Sequence, residues 1–117
     1  MGLRDFAKRL TASVDDIDHE RRRGRFDGLS LTPLDQVQPR ARCTVGGEVS
    51  RTRITPRSGI QAFEITIDDG TGTLVAVFTG RRHISGMEHH RGVMLEGVPR
   101  DEHGRLVMLN PAYTLLP

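Results

Sequence analysis

Tryptophan is absent from this 117-residue chain, and only five side chains carry a phenyl or phenol ring: Phe6, Phe26, Phe63, Phe78 and Tyr113. Recognition by aromatic stacking must draw on those few. The single cysteine, Cys43, excludes an intramolecular disulfide and makes a reducing cytoplasm the expected compartment. No apolar run approaches the roughly 20 residues a membrane-spanning helix needs. The first residues, with Arg4, Asp5, Lys8 and Arg9, lack the apolar region of a signal peptide, so no membrane role is expected. Lysine is almost missing: 16 of the 17 basic residues are arginine. Arginine suits phosphate contact and base stacking better than lysine does, although GC-rich codon usage produces the same enrichment.

Hydrophobic residues make up 36% of the chain, with 13 glycines and six prolines, enough apolar material for one packed domain and too little Pro and Gly for wholesale disorder. The net charge is only +2. Residues 1–39 balance seven basic against seven acidic side chains, and residues 40–117 carry ten arginines against eight acids. This modest excess permits attraction to a polyanion without requiring it.

The chain divides near residue 40. In residues 1–39, Leu3, Phe6, Ala7, Leu10, Val14 and Ile17 recur at helical spacing and form one apolar stripe. Ser13 followed by Asp16 can also restart a helix by capping, so one helix or two remains open. The stripe would pack on the domain that follows or on a second copy. Asp5, Asp15, Asp16, Asp18 and Glu20 make its polar face too acidic for a membrane surface. Residues 20–40, with Gly24, Gly28, Pro33 and Pro39, read as a connector, and its Arg21-Arg22-Arg23-Gly24-Arg25 run as a solvated helix end.

From residue 41 the period falls to two. Cys43, Val45, Gly47 and Val49 share one face of a first strand whose Gly46-Gly47 pair predicts a bulge or sharp coil. "TPRSGIQ" reads as a loop. Phe63, Ile65 and Ile67 mark a second strand, Thr73–Thr79 a third, Val93–Val98 a fourth and Leu106–Leu109 a fifth. Between the third and fourth, "GRRHISGMEHHRG" has room for one or two helical turns; "PRDEHGR" reads as a turn. Five strands with exposed edges cannot bury both faces. Coiling the first so that it pairs at both ends nearly closes a barrel. The expected fold is therefore mainly β: a five-stranded OB-fold barrel, residues 40–117, with an N-terminal α-helical extension.

The stretches "VGGEVSR", "FEITIDDGTGTLVAVFTGRR", "HRGVMLEGV" and "LVMLNPAY" also resemble the OB-fold nucleic-acid-binding superfamily, in the branch that includes anticodon-binding domains of class II aminoacyl-tRNA synthetases and the wedge domain of branch-processing DNA helicases. The chain as a whole is similar to small stand-alone OB-fold proteins of high-GC Gram-positive bacteria. Asp69–Gly72, Gly80–Met87 and Asn110-Pro111-Ala112-Tyr113 carry that likeness. It spans roughly residues 40–117, with 1–39 matching loosely, and implies nucleic-acid binding by analogy of fold. Where relatives tend to have a larger aromatic near the end of strand three, this chain has Phe78 followed by Thr79, which reduces the stacking area.

The "DDGTG" run invites a phosphate-loop or calcium-loop reading. A phosphate loop needs a lysine and a following helix; a calcium loop needs more oxygen ligands at regular spacing. Asp69-Gly70 between alternating runs signals a hairpin instead. His19, His83, His89, His90, His103 and Cys43 form no spaced ligand pair, and His89-His90, being adjacent, should diverge. No nucleophile-and-base set or carboxylate pair can be read. No enzyme activity, metal or cofactor is expected.

OB-folds pass ligand across strands two and three, between the loops joining strands one to two and four to five. Single-strand binders combine a basic groove with stacking rings. The candidate nucleic-acid contacts are accordingly Arg51, Arg53, Arg57, Arg81, Arg82 and Arg105 for phosphates, with Phe78 for a base. Phe78 faces outward if Val75 and Val77 face the barrel interior; the alternation admits the opposite as well. Glu48, Glu64, Asp101 and Glu102 lie near these arginines and weaken polyanion binding. The expected activity is weak, largely sequence-neutral binding of single-stranded or branched nucleic acid. The alternative is a protein-interaction or dimerisation module using the barrel or the N-terminal helix.

Overall fold

A computed structural model of the chain describes residues 30–117. The expected N-terminal helix falls outside the described residues, as does any dimer contact made through it. Within them the only helical element is the 3-10 turn Leu34–Gln36, and no helix is long and apolar enough to cross a membrane. The strands are β1 (Cys43–Arg57), β2 (Ile60–Asp68), β3 (Thr73–Thr79), β4 (Gly92–Gly97), β5 (Pro99–Glu102), β6 (Arg105–Leu109) and β7 (Ala112–Leu116). They form one curled sheet in the order β5-β6-β3-β2-β1-β4-β7, antiparallel except where β3 lies parallel to β6.

The expectation of five strands is thus corrected to a seven-stranded sheet. The two additional strands arise where a ladder is interrupted. β4 and β5 are separated only by Val98, and β6 and β7 only by Asn110 and Pro111. Pro111 has no N–H to donate, and Asn110 adopts a φ of 49°, so the ladder breaks there. Pro99 pairs with Met108, and Glu96 with Ala112, an offset of one residue between the two ladders. The two stretches therefore form one long hairpin kinked by a bulge. "PRDEHGR" and "NPAYTLL" hid their strands because charge, Pro and Asn dominate the apolar alternation.

β1 serves two partners. Its first half, Cys43–Glu48, pairs with β4, and Glu48–Arg57 pairs with β2. Glu48 is the pivot, opposite both Asp68 and Gly92. Just before it, a Cβ on Gly47 would stand 2.9 Å from the Asp68 carbonyl oxygen and 3.0 Å from its backbone N and C, so only glycine lets β2 approach this closely. The register break lies between Val49 and Arg51, a few residues past the glycine pair that predicts it.

"TPRSGIQ" is strand rather than loop, apart from its two-residue turn. Ser58 and Gly59 have φ of 51° and 81°, and His103-Gly104 in the β5–β6 hairpin have 56° and 85°. Positive φ at both central residues is the tight hairpin geometry that matches strand twist. Ser and His at the first position made these turns hard to read. The Asp69 carboxylate organises the β2–β3 turn: Oδ1 accepts from Thr71 N at 2.8 Å, Thr71 Oγ1 at 2.6 Å and Gly72 N at 3.2 Å. Its Oδ2 accepts from Leu34 N at 2.8 Å and so ties the preceding segment to the barrel.

Interior side chains come from every side of the curl: Val45, Val49, Phe63, Ile65, Ile67, Leu74, Ala76, Phe78, Val93, Leu95 and Met108. Two short segments complete this core. Leu34 and Val37, in the stretch read as connector, pack into it, as do Ile84 and Met87 from the β3–β4 segment. That segment makes turns without a helix. A second cluster, Ala62, Val75, Val77 and Val107, lies on the opposite face of the sheet. Because Leu74 through Phe78 are buried on both faces, β3 reads as an unbroken apolar run rather than an alternation.

Replacing Gly47 with Ala forces the β1–β2 backbones apart. It should destabilise the domain by about 1–3 kcal/mol, as overpacking does, seen as a lower urea midpoint with the m-value unchanged. The same change at Gly59, where a Cβ meets nothing within 4 Å, carries only the strain of its positive φ.

Candidate nucleic-acid interface

The outer face of β1, β2, β3 and β6 is built from two cross-strand rows. Registers place Arg53, Glu64, Val77 and Leu109 in one, and Arg51, Thr66, Val75 and Val107 in the other. The first row carries opposite charges on neighbouring strands, a stabilising cross-strand pair. The β1–β2 hairpin stands on one side of this face and the β5–β6 hairpin on the other, and the two meet through an ion pair from Arg57 to Glu102.

Two carboxylates anchor the charge here. The Glu64 side chain is only 5% exposed; Arg53 Nε reaches it from the β1 side at 3.2 Å and Arg105 Nη1 from the β6 side at 3.4 Å. Glu102 accepts from Arg57 across the face and from Arg100 on its own strand, through Nε and Nη2 at 2.6 Å. Burial alone would push the Glu102 carboxyl up, but the hydrogen bonds and charges of Arg57 and Arg100 outweigh it and hold the group below its ordinary value. Two arginine–glutamate–arginine bridges therefore span the face, and Ala62, Val75, Val77 and Val107 lie buried in the same sheet surface.

The candidate contacts consequently separate into three groups. Arg53, Arg57 and Arg105 come together on the outer face, each already paired with an acid. Arg51, Arg81 and Arg82 are exposed and make no ion pair among the described residues; Arg81 and Arg82 leave the end of β3, where Gly80 N donates to Gln61 O at 2.9 Å beside the β1–β2 hairpin. Phe78 belongs to neither group. It is 5% exposed and part of the interior core, opposite Phe63 on β2, so its ring has no face to offer a base. This corrects its reading as a stacking residue: Leu74, Ala76 and Phe78 face the interior, and Val75 and Val77 the outer surface.

Two rings outside the candidate set are accessible. Tyr113, on β7, is 40% exposed and meets the Phe78 ring edge at 5.6 Å. Exposed His83 meets Phe63 at 5.9 Å. Because Phe63 and Phe78 are register partners, the four rings line one end of the barrel with His83 and Tyr113 outermost. The signal for Tyr113 was its place on a strand, which the Asn110-Pro111 break concealed. His89 and His90, expected to diverge, have ring centroids 3.9 Å apart, in a turn where His90 has a φ of 72°. Among the described residues no group of three or more His, Cys, Asp or Glu is placed to hold a metal. Burial pushes the Cys43 thiol up, which leaves it protonated and poorly nucleophilic near neutrality.

Two outcomes follow from this geometry. Phe78→Ala should cost about 3–5 kcal/mol of stability, as for other buried rings, with unfolding read by circular dichroism; a Phe78→Leu protein, if still folded, should bind ligand as the parent does. The lowered Glu102 value fixes a sign. Its contribution is complete above the ordinary glutamate range and is lost as pH falls through the lower folded value. A pH series of urea midpoints should therefore drop less steeply on the acid side in Glu102→Gln than in the parent.

No protein-family model and no curated protein matches this chain, whereas solved structures do. RecG, in its structure bound to a three-way DNA junction, superposes with a TM-score of 0.62 at 12% identity over 73% of this chain; the match spans 12% of the RecG chain. The second OB-fold domain of replication protein A from Methanococcus maripaludis gives 0.57 at 12% identity, over 72% of this chain and 92% of that one. An OB domain from Thermoplasma acidophilum gives 0.54 at 13% identity, over 73% and 85%. At such identities the likeness is one of fold alone: the curled sheet of β1 to β7 has an OB-like fold.

Proposed function

We propose that this domain binds single-stranded or branched nucleic acid, weakly and largely without regard to sequence, and performs no chemistry on it. The observation that carries this reading is the placement of three guanidiniums, Arg51, Arg81 and Arg82, that make no ion pair among the described residues, on and beside an OB outer face whose walls carry further arginines. Guanidinium forks suit phosphate oxygens. Exposed Tyr113 and His83 supply at most two stacking surfaces beside Arg81 and Arg82, each stacked base worth ~1–3 kcal/mol.

A second reading has an observation of its own. Five arginines, at positions 42, 53, 57, 100 and 105, are paired with acids, while Val98, Leu109 and Tyr113 stand exposed. Internally neutralised charge beside scattered apolar side chains also suits a protein partner or a second copy.

Salt dependence separates the two. Three free phosphate contacts on a single strand predict a slope of log K against log salt of about −2, at ~0.7 per contact. Fluorescence anisotropy of a labelled oligonucleotide should give that slope, and replacing Arg51, Arg81 and Arg82 together with Ala should nearly abolish it. Absence of binding at low salt would sink the nucleic-acid reading. Concentration-dependent self-association by light scattering, unchanged in the triple variant, would favour the protein-interaction reading.

A further inference from the structure

We infer that Glu64 and Glu102 are placeholders for ligand phosphates: each carboxylate holds a pair of guanidiniums in an anion-binding arrangement, and a nucleic acid enters the face by exchanging phosphate for carboxylate. The inference rests on the nucleic-acid reading above and assigns to it two acidic residues that set affinity. Both acids sit between arginines, Glu64 between Arg53 and Arg105, Glu102 between Arg57 and Arg100. In each bridge the cations arrive from different strands, so the pair of guanidiniums stays assembled only while an anion stands between them. A phosphodiester can satisfy the same forks, since arginine recognises carboxylate and phosphate through the same geometry.

The arrangement has a chemical consequence. An unoccupied set of four arginines would repel itself and attract any polyanion strongly. With two internal anions the set is half neutralised, and each phosphate that enters must displace a carboxylate, which then takes up a solvent cation. Net ion release is small for those contacts, so the salt dependence of the parent comes mainly from Arg51, Arg81 and Arg82. Glu102, on the rim between the two hairpins, is the easier anion to displace. Glu64, nearly buried in the sheet face, is the harder.

The test uses the full chain and a labelled oligothymidylate, with Glu102→Gln and the Glu64→Gln/Glu102→Gln double variant. Releasing Arg57 and Arg100 should tighten binding and steepen the salt slope by about 1.4, and releasing all four arginines should steepen it by about 2.8, at ~0.7 per phosphate contact. Arg57→Ala in the Glu102→Gln background should remove about half of the first gain. Thermal melts accompany each protein; if the double variant fails to fold, the Glu102→Gln protein alone decides. Parent binding with no change of slope in a folded Glu102→Gln protein overturns the inference and leaves those acids as structural staples. Absence of parent binding at low salt together with none in the variants overturns the nucleic-acid reading itself.

Discussion

The whole domain depends on one strand that must pair on both sides while turning through the barrel wall. β1 is hydrogen-bonded to β4 over its first half and to β2 over its second, with Glu48 facing a partner on each side. A strand can do this only if its backbone comes close to a neighbour where the two ladders overlap, and the missing Cβ at Gly47 supplies the space, less than 3 Å from the Asp68 carbonyl oxygen. Once β1 is coiled, β4 is carried through Val98 into β5 and onto β6, and the curl follows. The ends of the curl must then be covered, because an open barrel would wet Ile67 and Leu74 at one end and Phe63 and Phe78 at the other. Among the described residues two short segments contribute apolar side chains to that cover: Leu34 with Val37, and Ile84 with Met87.

The same coiling brings the β1–β2 and β5–β6 hairpins to opposite sides of the outer face, and this distance across the sheet governs the electrostatics. Arginines on β1 and β6 are far apart in sequence, yet both reach Glu64. A carboxylate this deep stays acceptable only with cations beside it; losing its partners would leave a buried charge at a cost of about 3–5 kcal/mol. The bridges are thus part of the architecture as well as of the surface, and they explain how a face rich in arginine belongs to a chain of net charge +2.

How much of this could be read from residues alone follows from physical scale. Strands set off by turn residues or by their own alternation were legible: Thr73–Thr79 coincides with β3, and Phe63, Ile65 and Ile67 face the interior as their spacing implies. The two-faced burial of β3 was not legible, because Val75 and Val77 are covered by contacts from β6 and β2 that no local pattern encodes. For that reason the alternation left both sides of the wall open to Phe78. β5 and β7 were missed because Pro99, Asp101, Asn110 and Pro111 suppress the apolar signal, although ladders to β6 and β4 hold those strands in place. The division of the candidate arginines into paired and unpaired was not legible, since pairing is a property of the registers.

That division changes what the arginines mean. Counted along the sequence, they suggest a basic groove of the kind that tracks a polyanion. Counted in space, Arg53, Arg57, Arg100 and Arg105 answer to two carboxylates, whereas Arg51, Arg81 and Arg82 make no ion pair among the described residues. Long-range attraction depends on unanswered charge, because a paired guanidinium presents little net field beyond a Debye length of about 8–10 Å. Short-range contact depends on geometry, and there the paired arginines are the better prepared, already fixed around an anion. A ligand drawn in by Arg51, Arg81 and Arg82 would thus meet its orienting contacts only after arrival.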